Sequence, residues 1–140
     1  MKVPFNINLS GKTAIVTGGS GTLCSAMTYG LAVSGAKVAI IGRNIEKLAS
    51  VSEKLTKNAL DEYNKDVTIK GYSCNVINKD ELTAAYETIK NELGSCDILI
   101  NGAGGNQPGA ITSIEMLKKD KEDSDYSFWN LDEDRIRDVM

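Results

Sequence analysis

Two glycine-rich stretches of the sequence, each following an apolar run, contain the residue types best suited to hold an anionic ligand. The first, "TGGSGTLC" at 17–24, follows the apolar run 12–16, and the second, "NGAGGNQP" at 101–108, follows the run 96–100. Glycines allow a sharp turn and a close approach of the backbone, and free amides at a helix start stabilise a pyrophosphate. The first stretch therefore indicates a dinucleotide-binding turn, although a tight turn without a ligand gives the same pattern.

Short apolar runs alternate with segments of helical periodicity, and this alternation positions both stretches. We predict strands over 12–16, 37–41, 66–74 and 96–100, with helices over about 22–34, from 45 onward and over 78–94. The last of these helices begins with a capping box formed by Asn78 and Glu81. Single helices between strands indicate right-handed βαβ units and a parallel sheet with helices on both faces.

The predicted fold class is thus α/β, a Rossmann-type doubly wound parallel sheet. Its expected strand order is 3-2-1-4, and it is incomplete because later strands are missing. We interpret residues 1–140 as a single partial dinucleotide-binding domain, and we expect the exposed edge of the fourth strand to make the isolated chain marginally stable or prone to associate. The segment "DEDRIRDVM" looks like the beginning of a further helix.

Ligands of doubly wound sheets bind beyond the carboxyl ends of the strands, where the strand order reverses. In the order 3-2-1-4 that point lies between strands one and four, and these are the two strands that the glycine-rich stretches follow. Arg43, after the second strand, stands where an acidic residue would bind the ribose of NAD. An arginine there is suited to a 2′-phosphate, which favours NADP, with NAD possible; a simple exposed arginine is the alternative.

Asn75 follows the third strand, where it could meet the adenine edge or be an ordinary turn residue. The amide of Asn101 could brace the backbone beside the nicotinamide ribose. The predicted cofactor-binding residues are Gly18, Gly19, Ser20, Gly21, Thr22, Leu23, Arg43, Asn44, Asn75, Val76, Asn101, Gly102, Ala103 and Gly104.

Composition excludes several other classes of function. The formal net charge is −3, and the one basic cluster, 118–121, is interleaved with acidic residues, so we expect no nucleic-acid or membrane partner. The chain has no histidine and three widely spaced cysteines, so we expect no metal site. The lack of histidine also excludes a histidine-based catalytic group. Unpaired cysteines favour a reducing, cytoplasmic location.

Two short motifs resemble catalytic or phosphate-binding sequences but lie in the wrong places. Tyr86 and Lys90 form the pattern Tyr-x-x-x-Lys. They fall late in the helix that leads to the fourth strand, so we expect them toward the amino edge of the sheet. "GKT" at 11–13 precedes its strand, whereas a phosphate-binding loop of the Walker type follows one.

These features resemble the short-chain dehydrogenase/reductase family over residues 9–105. Thr17-Gly18 opens the family's glycine motif, Asn75-Val76 stands where the family usually has Asp-Val, and "DILINGAGG" matches its Asn-Asn-Ala-Gly strand end. The chain departs from the pattern at Thr22 and Cys24, where glycines are usual. "TGGSGTLCSAM", "IIGRNIEKL" and "INGAGGNQP" together resemble the branch of D-mannonate oxidoreductases and fructuronate reductases.

The resemblance implies an NAD(P)-dependent oxidoreductase that interconverts a keto and a hydroxy sugar acid, and a homo-oligomer at full length. The family's catalytic Ser, Tyr and Lys lie beyond the matched segment, so no catalytic residue is assigned here and the chain alone is expected to be inactive. A non-catalytic dinucleotide-binding module is the alternative interpretation.

Overall fold

The computed structural model describes residues 7–105, 109–112 and 128–139, and the chain divides into two compact units, 1–103 and 104–140. The single-domain interpretation stays a prediction. The elements of the first unit are β1 (Thr13–Thr17), α1 (Thr22–Val33), β2 (Lys37–Gly42), α2 (Ile45–Tyr63), β3 (Ile69–Ser73), α3 (Lys79–Leu93) and β4 (Ile98–Asn101).

The four strands form one parallel sheet in the order β3-β2-β1-β4, which confirms the predicted topology. β1 lies in the middle of this order, and Val16 is in register with Ile40 of β2 and with Ile100 of β4. All five residues of β1 are buried, as expected of a strand that helices cover on both faces. The carboxyl ends of β1 and β4 therefore meet at one edge of the sheet.

Alternate residues of the strands pack against helices on opposite faces of the sheet. Val16 and Ile40 belong to the core on the side of α1 and α2, whereas Ile15 and Ile41 pack with Ile89 of α3. This two-residue alternation is the pattern that a doubly wound sheet requires. No helix in the part of the chain that the structure describes is long and apolar enough to cross a membrane.

β3 is shorter than the predicted strand over 66–74, because α2 continues to Tyr63 and needs a turn to end. Asn64 closes this helix in a left-handed conformation (φ 51°), and its backbone N–H donates to the carbonyl of Leu60 at 2.9 Å. The chain then reaches the sheet only at Ile69.

The predicted capping box at the start of α3 is present with one difference in its hydrogen bonds. The Asn78 side-chain oxygen accepts from the backbone N–H groups of Asp80 (3.0 Å) and Glu81 (3.3 Å). The Glu81 carboxylate accepts from the Asn78 side-chain amide at 3.0 Å and from the Asn75 backbone N–H at 2.8 Å, and so it also fixes the loop that precedes Asn78.

Asp97 joins the amino ends of β1 and β4. Its carboxylate accepts from the Lys12 ammonium at 2.8 Å and from the Thr13 backbone N–H at 2.9 Å. These two donors hold the pKa of Asp97 below its ordinary value. Because the folded-state pKa is the lower one, this carboxylate stabilises the fold above its unfolded pKa, and the contribution is lost as the pH falls through the folded value.

We therefore expect Asp97→Asn to lower the melting temperature at neutral pH, with a difference that shrinks as the pH drops below about 4. Thermal melts of the wild type and the variant between neutral and acidic pH measure this. Asp61→Asn, on the exposed face of α2, is the matched control. A pH-independent difference for Asp97→Asn would contradict this account.

The described part of the second unit contains a 3-10 turn (Phe128–Asn130) and α4 (Glu133–Val139). The Asp132 carboxylate begins α4 by accepting from the backbone N–H of Asp134 at 3.0 Å. The helix predicted from "DEDRIRDVM" is thus confirmed. The basic cluster over 118–121 lies outside the described residues.

Candidate dinucleotide site

The candidate site is the carboxyl edge of the sheet at β1 and β4. The turn from Gly18 to Gly21 leaves β1 and leads into α1, and the loop that starts at Gly102 leaves β4. Because β1 and β4 are neighbours, the topology brings the two predicted glycine-rich stretches together, as the strand order required. Gly104 belongs to the second unit, where it lies in an exposed coil.

The turn after β1 depends on two glycines that have no room for a side chain. Gly18 has a φ of 66°, and a Cβ added there would lie 2.7 Å from the carbonyl oxygen of Gly102. A Cβ at Gly19 would lie 2.5 Å from the Cβ of Ile40. The backbone at 18–19 therefore packs directly on β2 and on the β4 loop.

The amino end of α1 has no side-chain cap. Its N-cap residue is Gly21, and no side chain in the described part of the chain accepts from its first-turn amides. The first intrahelical bond runs from the Ser25 N–H to the Gly21 carbonyl at 2.8 Å, which leaves the N–H groups of Thr22, Leu23 and Cys24 without an intrahelical acceptor. The first turn contains no acidic residue, so these amides and the helix dipole favour an anion.

The other two long helices of the first unit start differently. The Asn44 side-chain oxygen accepts from the Lys47 N–H at 2.8 Å at the start of α2, and Asn78 has the same role in α3. The open start of α1 is therefore a local feature of the glycine turn. Ser20 in this turn is half-buried, whereas Thr22 and Leu23 are exposed.

Thr17 fixes the β4 loop against β1. Its hydroxyl oxygen accepts from the backbone N–H groups of both Gly102 and Ala103, each at 3.0 Å, and the residue is 7% exposed. We expected Asn101 to brace this backbone, but its side chain is exposed and Thr17 makes these bonds instead. Thr17 was not among the predicted site residues; its signal in the sequence is a hydroxyl residue directly after the apolar run 12–16.

Arg43 and Asn44 follow β2 at the same edge of the sheet. Arg43 is exposed, and its guanidinium makes no hydrogen bond or ion pair with any residue that the structure describes. Its backbone carbonyl accepts from the Ser73 hydroxyl at 3.3 Å. Arg43 is therefore able to bind an anion, whereas the side-chain oxygen of Asn44 is engaged in capping α2.

Asn75 and Val76 lie in the turn between β3 and α3. The side-chain oxygen of Asn75 accepts from the Ile77 N–H at 3.3 Å, whereas its side-chain nitrogen has no hydrogen-bond partner among the described residues. Burial, followed by the charge of Glu81, raises the pKa of the neighbouring Cys74 thiol, so this thiol is neutral at physiological pH and adds no charge to the site.

An open groove of about 640 Å³ lies between α3 and the strands β1 and β4. Its lining is mainly apolar and reaches the carboxyl edge at Val76 and Ala103. Leu99 of β4 lines the groove and is 57% exposed. Three of the predicted cofactor-binding residues, Val76, Asn101 and Ala103, thus border an apolar surface.

The two misleading motifs lie away from the glycine turn. Lys12 is paired with Asp97 at the amino edge of the sheet, opposite to the candidate site. Tyr86 lines the groove on the face of α3, and Lys90 lies one turn nearer to the end of that helix at Leu93. The groove that Tyr86 lines reaches the carboxyl edge, but neither motif is part of the glycine turn there.

The chain matches the family model of the short chain dehydrogenases over residues 12–124. It is 42% identical over 131 residues to the uncharacterized oxidoreductase UxuB of Bacillus subtilis, a match that spans 94% of this chain and 44% of UxuB. It is 38% identical over 98 residues to the 2-dehydro-3-deoxy-D-gluconate 5-dehydrogenase of Formosa agariphila, across 69% of this chain and 34% of that enzyme.

Two solved structures of oxidoreductases are also similar to this chain. A Haemophilus influenzae protein assigned as a D-mannonate oxidoreductase, solved with bound NAD, matches with a TM-score of 0.78 and 34% identity, over 96% of this chain and 45% of that one. A metagenomic short-chain oxidoreductase in complex with NADP matches with a TM-score of 0.64 and 26% identity, over 81% and 47% of the two chains. This chain spans less than half the length of each of these four proteins.

Proposed function

Because this chain belongs to the short-chain dehydrogenase family, we propose that its first unit binds NADP(H) at the carboxyl edge of the sheet. The observation that carries the proposal is the uncapped start of α1, directly beside the loop that Thr17 holds at the end of β4. The free amides of this helix turn match the negative charge of a pyrophosphate, and the missing side chains at Gly18 and Gly19 keep the turn tight against the sheet.

The remaining residues have distinct proposed roles. The turn Gly18–Leu23 binds the pyrophosphate, and Arg43 pairs with a 2′-phosphate on the adenosine ribose. Asn75 and Val76 receive the adenine, and Val76 also lines the apolar groove. The Asn101–Ala103 loop lies against the nicotinamide ribose, and Gly104 stays a sequence-based prediction for the same position.

Arg43 is the residue that gives the site its preference for NADP over NAD. An exposed guanidinium with no partner among the described residues suits a phosphate, since it can form two charge-assisted hydrogen bonds with it. The Haemophilus influenzae protein was solved with NAD, so the preference for NADP rests on this residue rather than on the similarity.

We expect Arg43→Ala to weaken NADPH binding by about tenfold to 100-fold and to leave NADH binding unchanged. Calorimetric titration of the wild type and the variant with each cofactor measures both affinities. Lys54→Ala, which removes an exposed cation further along α2, is the matched control for loss of charge. Equal affinity of the wild type for NADPH and NADH would overturn the NADP assignment, and the absence of binding to either would overturn the proposed function.

We further propose that the whole protein transfers a hydride between the cofactor and a sugar acid, interconverting a secondary alcohol and a ketone. The names of two relatives, a D-mannonate oxidoreductase and a 2-dehydro-3-deoxy-D-gluconate 5-dehydrogenase, support this class of substrate. The bound cofactor would supply or accept the hydride, while the residues of this chain hold and orient it. A spectrophotometric assay of the whole protein with NADPH and D-fructuronate tests the substrate class, and NADPH oxidation only with ketones that lack a carboxylate would contradict it.

The location and assembly of the protein are part of the same proposal. All three cysteines, Cys24, Cys74 and Cys96, are free, which suits a reducing compartment such as the cytoplasm. The homo-oligomeric state stays a prediction from the resemblance to the family.

A further inference from the structure

The sulfur of Cys24 lies where a side chain at residue 102 would have to begin. A Cβ added to Gly102 would overlap the Cys24 Sγ, and it would lie 2.9 Å from the backbone carbonyl oxygen of Thr17. Cys24 is 8% exposed and belongs to the first turn of α1. Residues 24 and 102 therefore compete for one volume between the start of α1 and the loop after β4.

The same loop is held closely on two other sides. Gly18 leaves room for the backbone of Gly102 and Ala103, since a Cβ at Gly18 would lie 2.7 Å from the Gly102 carbonyl oxygen and 2.9 Å from the Ala103 nitrogen. Thr17 accepts from the N–H groups of both loop residues. Cys24 thus packs on Gly102 from the start of α1, on the side where the Thr17 carbonyl oxygen also lies.

We propose that Cys24 and Gly102 are a size-matched pair that fixes the distance between the start of α1 and the β4 loop, and thereby positions the two walls of the dinucleotide site. The absence of a side chain at Gly102 admits the sulfur, and the sulfur fills the space that the glycine leaves, so that neither residue can change size alone. Cys24 acts here as a positioning residue through packing, and its thiol takes no part in chemistry. The effect on binding rests on the proposed NADP(H) function, whereas the packing of the pair does not.

The test is a double-mutant cycle of Cys24→Ala and Gly102→Ala, with melting temperature and NADPH affinity measured for all four proteins. We expect Gly102→Ala to lower the melting temperature and to raise the Kd for NADPH by about tenfold, because the new methyl group displaces the loop. Cys24→Ala removes only the sulfur. In the double variant the Cβ of residue 102 would lie 3.6 Å from the Cys24 Cβ, an ordinary contact, but its 2.9 Å approach to the Thr17 carbonyl oxygen would remain. The double variant is therefore expected to lose less than the sum of the two single losses without regaining wild-type stability.

The control is Gly105→Ala in the same stretch of sequence, where an added Cβ would meet nothing within 4 Å. Additive losses in the cycle would overturn the pair. If Gly102→Ala does not fold, recovery of a folded protein in the double variant supports the pair, and failure to recover overturns it. If even the wild type does not bind NADPH, the proposed function fails, and the melting temperatures still decide whether the two residues are coupled.

Discussion

Replacing Gly18 with alanine is expected to destabilise the chain by about 3 kcal/mol and to abolish dinucleotide binding. The residue has a left-handed backbone conformation (φ 66°), which costs an alanine about 1 kcal/mol. The added Cβ would also lie within 3 Å of three backbone atoms of Gly102 and Ala103. Backbone atoms cannot move aside as a flexible side chain can, so the two loops that form the site must separate.

Gly11 provides a control that separates these two causes. It too has a positive φ (80°), but an added Cβ there would meet nothing within 4 Å. We expect Gly11→Ala to cost only the conformational strain, about 1 kcal/mol, and to leave NADPH binding intact. Thermal melts and calorimetric titrations of both variants measure this, and equal losses in the two would contradict the close approach of the loops.

The second large effect is expected from Thr17→Val. Valine keeps the shape of the side chain but removes the oxygen that accepts from the N–H groups of Gly102 and Ala103. At about 1 kcal/mol for each hydrogen bond, the loss of stability is about 2 kcal/mol. Because the same bonds hold the β4 loop beside the glycine turn, we expect the Kd for NADPH to rise together with the loss of stability.

Thr17→Ser is the matched control, since serine keeps the hydroxyl oxygen and loses only a methyl group. It is expected to retain both hydrogen bonds and most of the affinity. Chemical denaturation gives the stability of each variant, and titration gives the affinity. A valine variant that binds NADPH as tightly as the wild type would show that the two bonds do not position the loop.

The topology was predictable because each element has a strong local signal. Apolar runs such as 37–41 alternate with single helices, and right-handed crossovers then allow few strand orders. The end of α2 was less predictable, because the left-handed turn at Asn64 delays the return to the sheet until Ile69. Glycine is the residue usually expected at such a position, and asparagine gives a weaker signal.

The location of the candidate site was also predictable, since it follows from the strand order and from where the glycines lie. Its internal contacts were not. The role of Thr17 depends on the register that places it opposite Asn101 of β4. The overlap of Cys24 with the space at Gly102 likewise depends on how closely α1 approaches a loop far away in sequence. Neither relation is visible in a local sequence pattern.

The most direct test of the account is to follow the backbone amide signals of the ¹⁵N-labelled chain by NMR as NADPH is added. We expect the amides of Gly18–Cys24, Arg43 and Gly102–Ala103 to shift most, while those at the amino edge around Lys12 and Asp97 stay unchanged. Saturable shifts of this kind would place the cofactor across the two glycine loops. Shifts confined to other residues, or no shifts at NADPH concentrations that saturate family members, would contradict the assignment of this edge as a dinucleotide site.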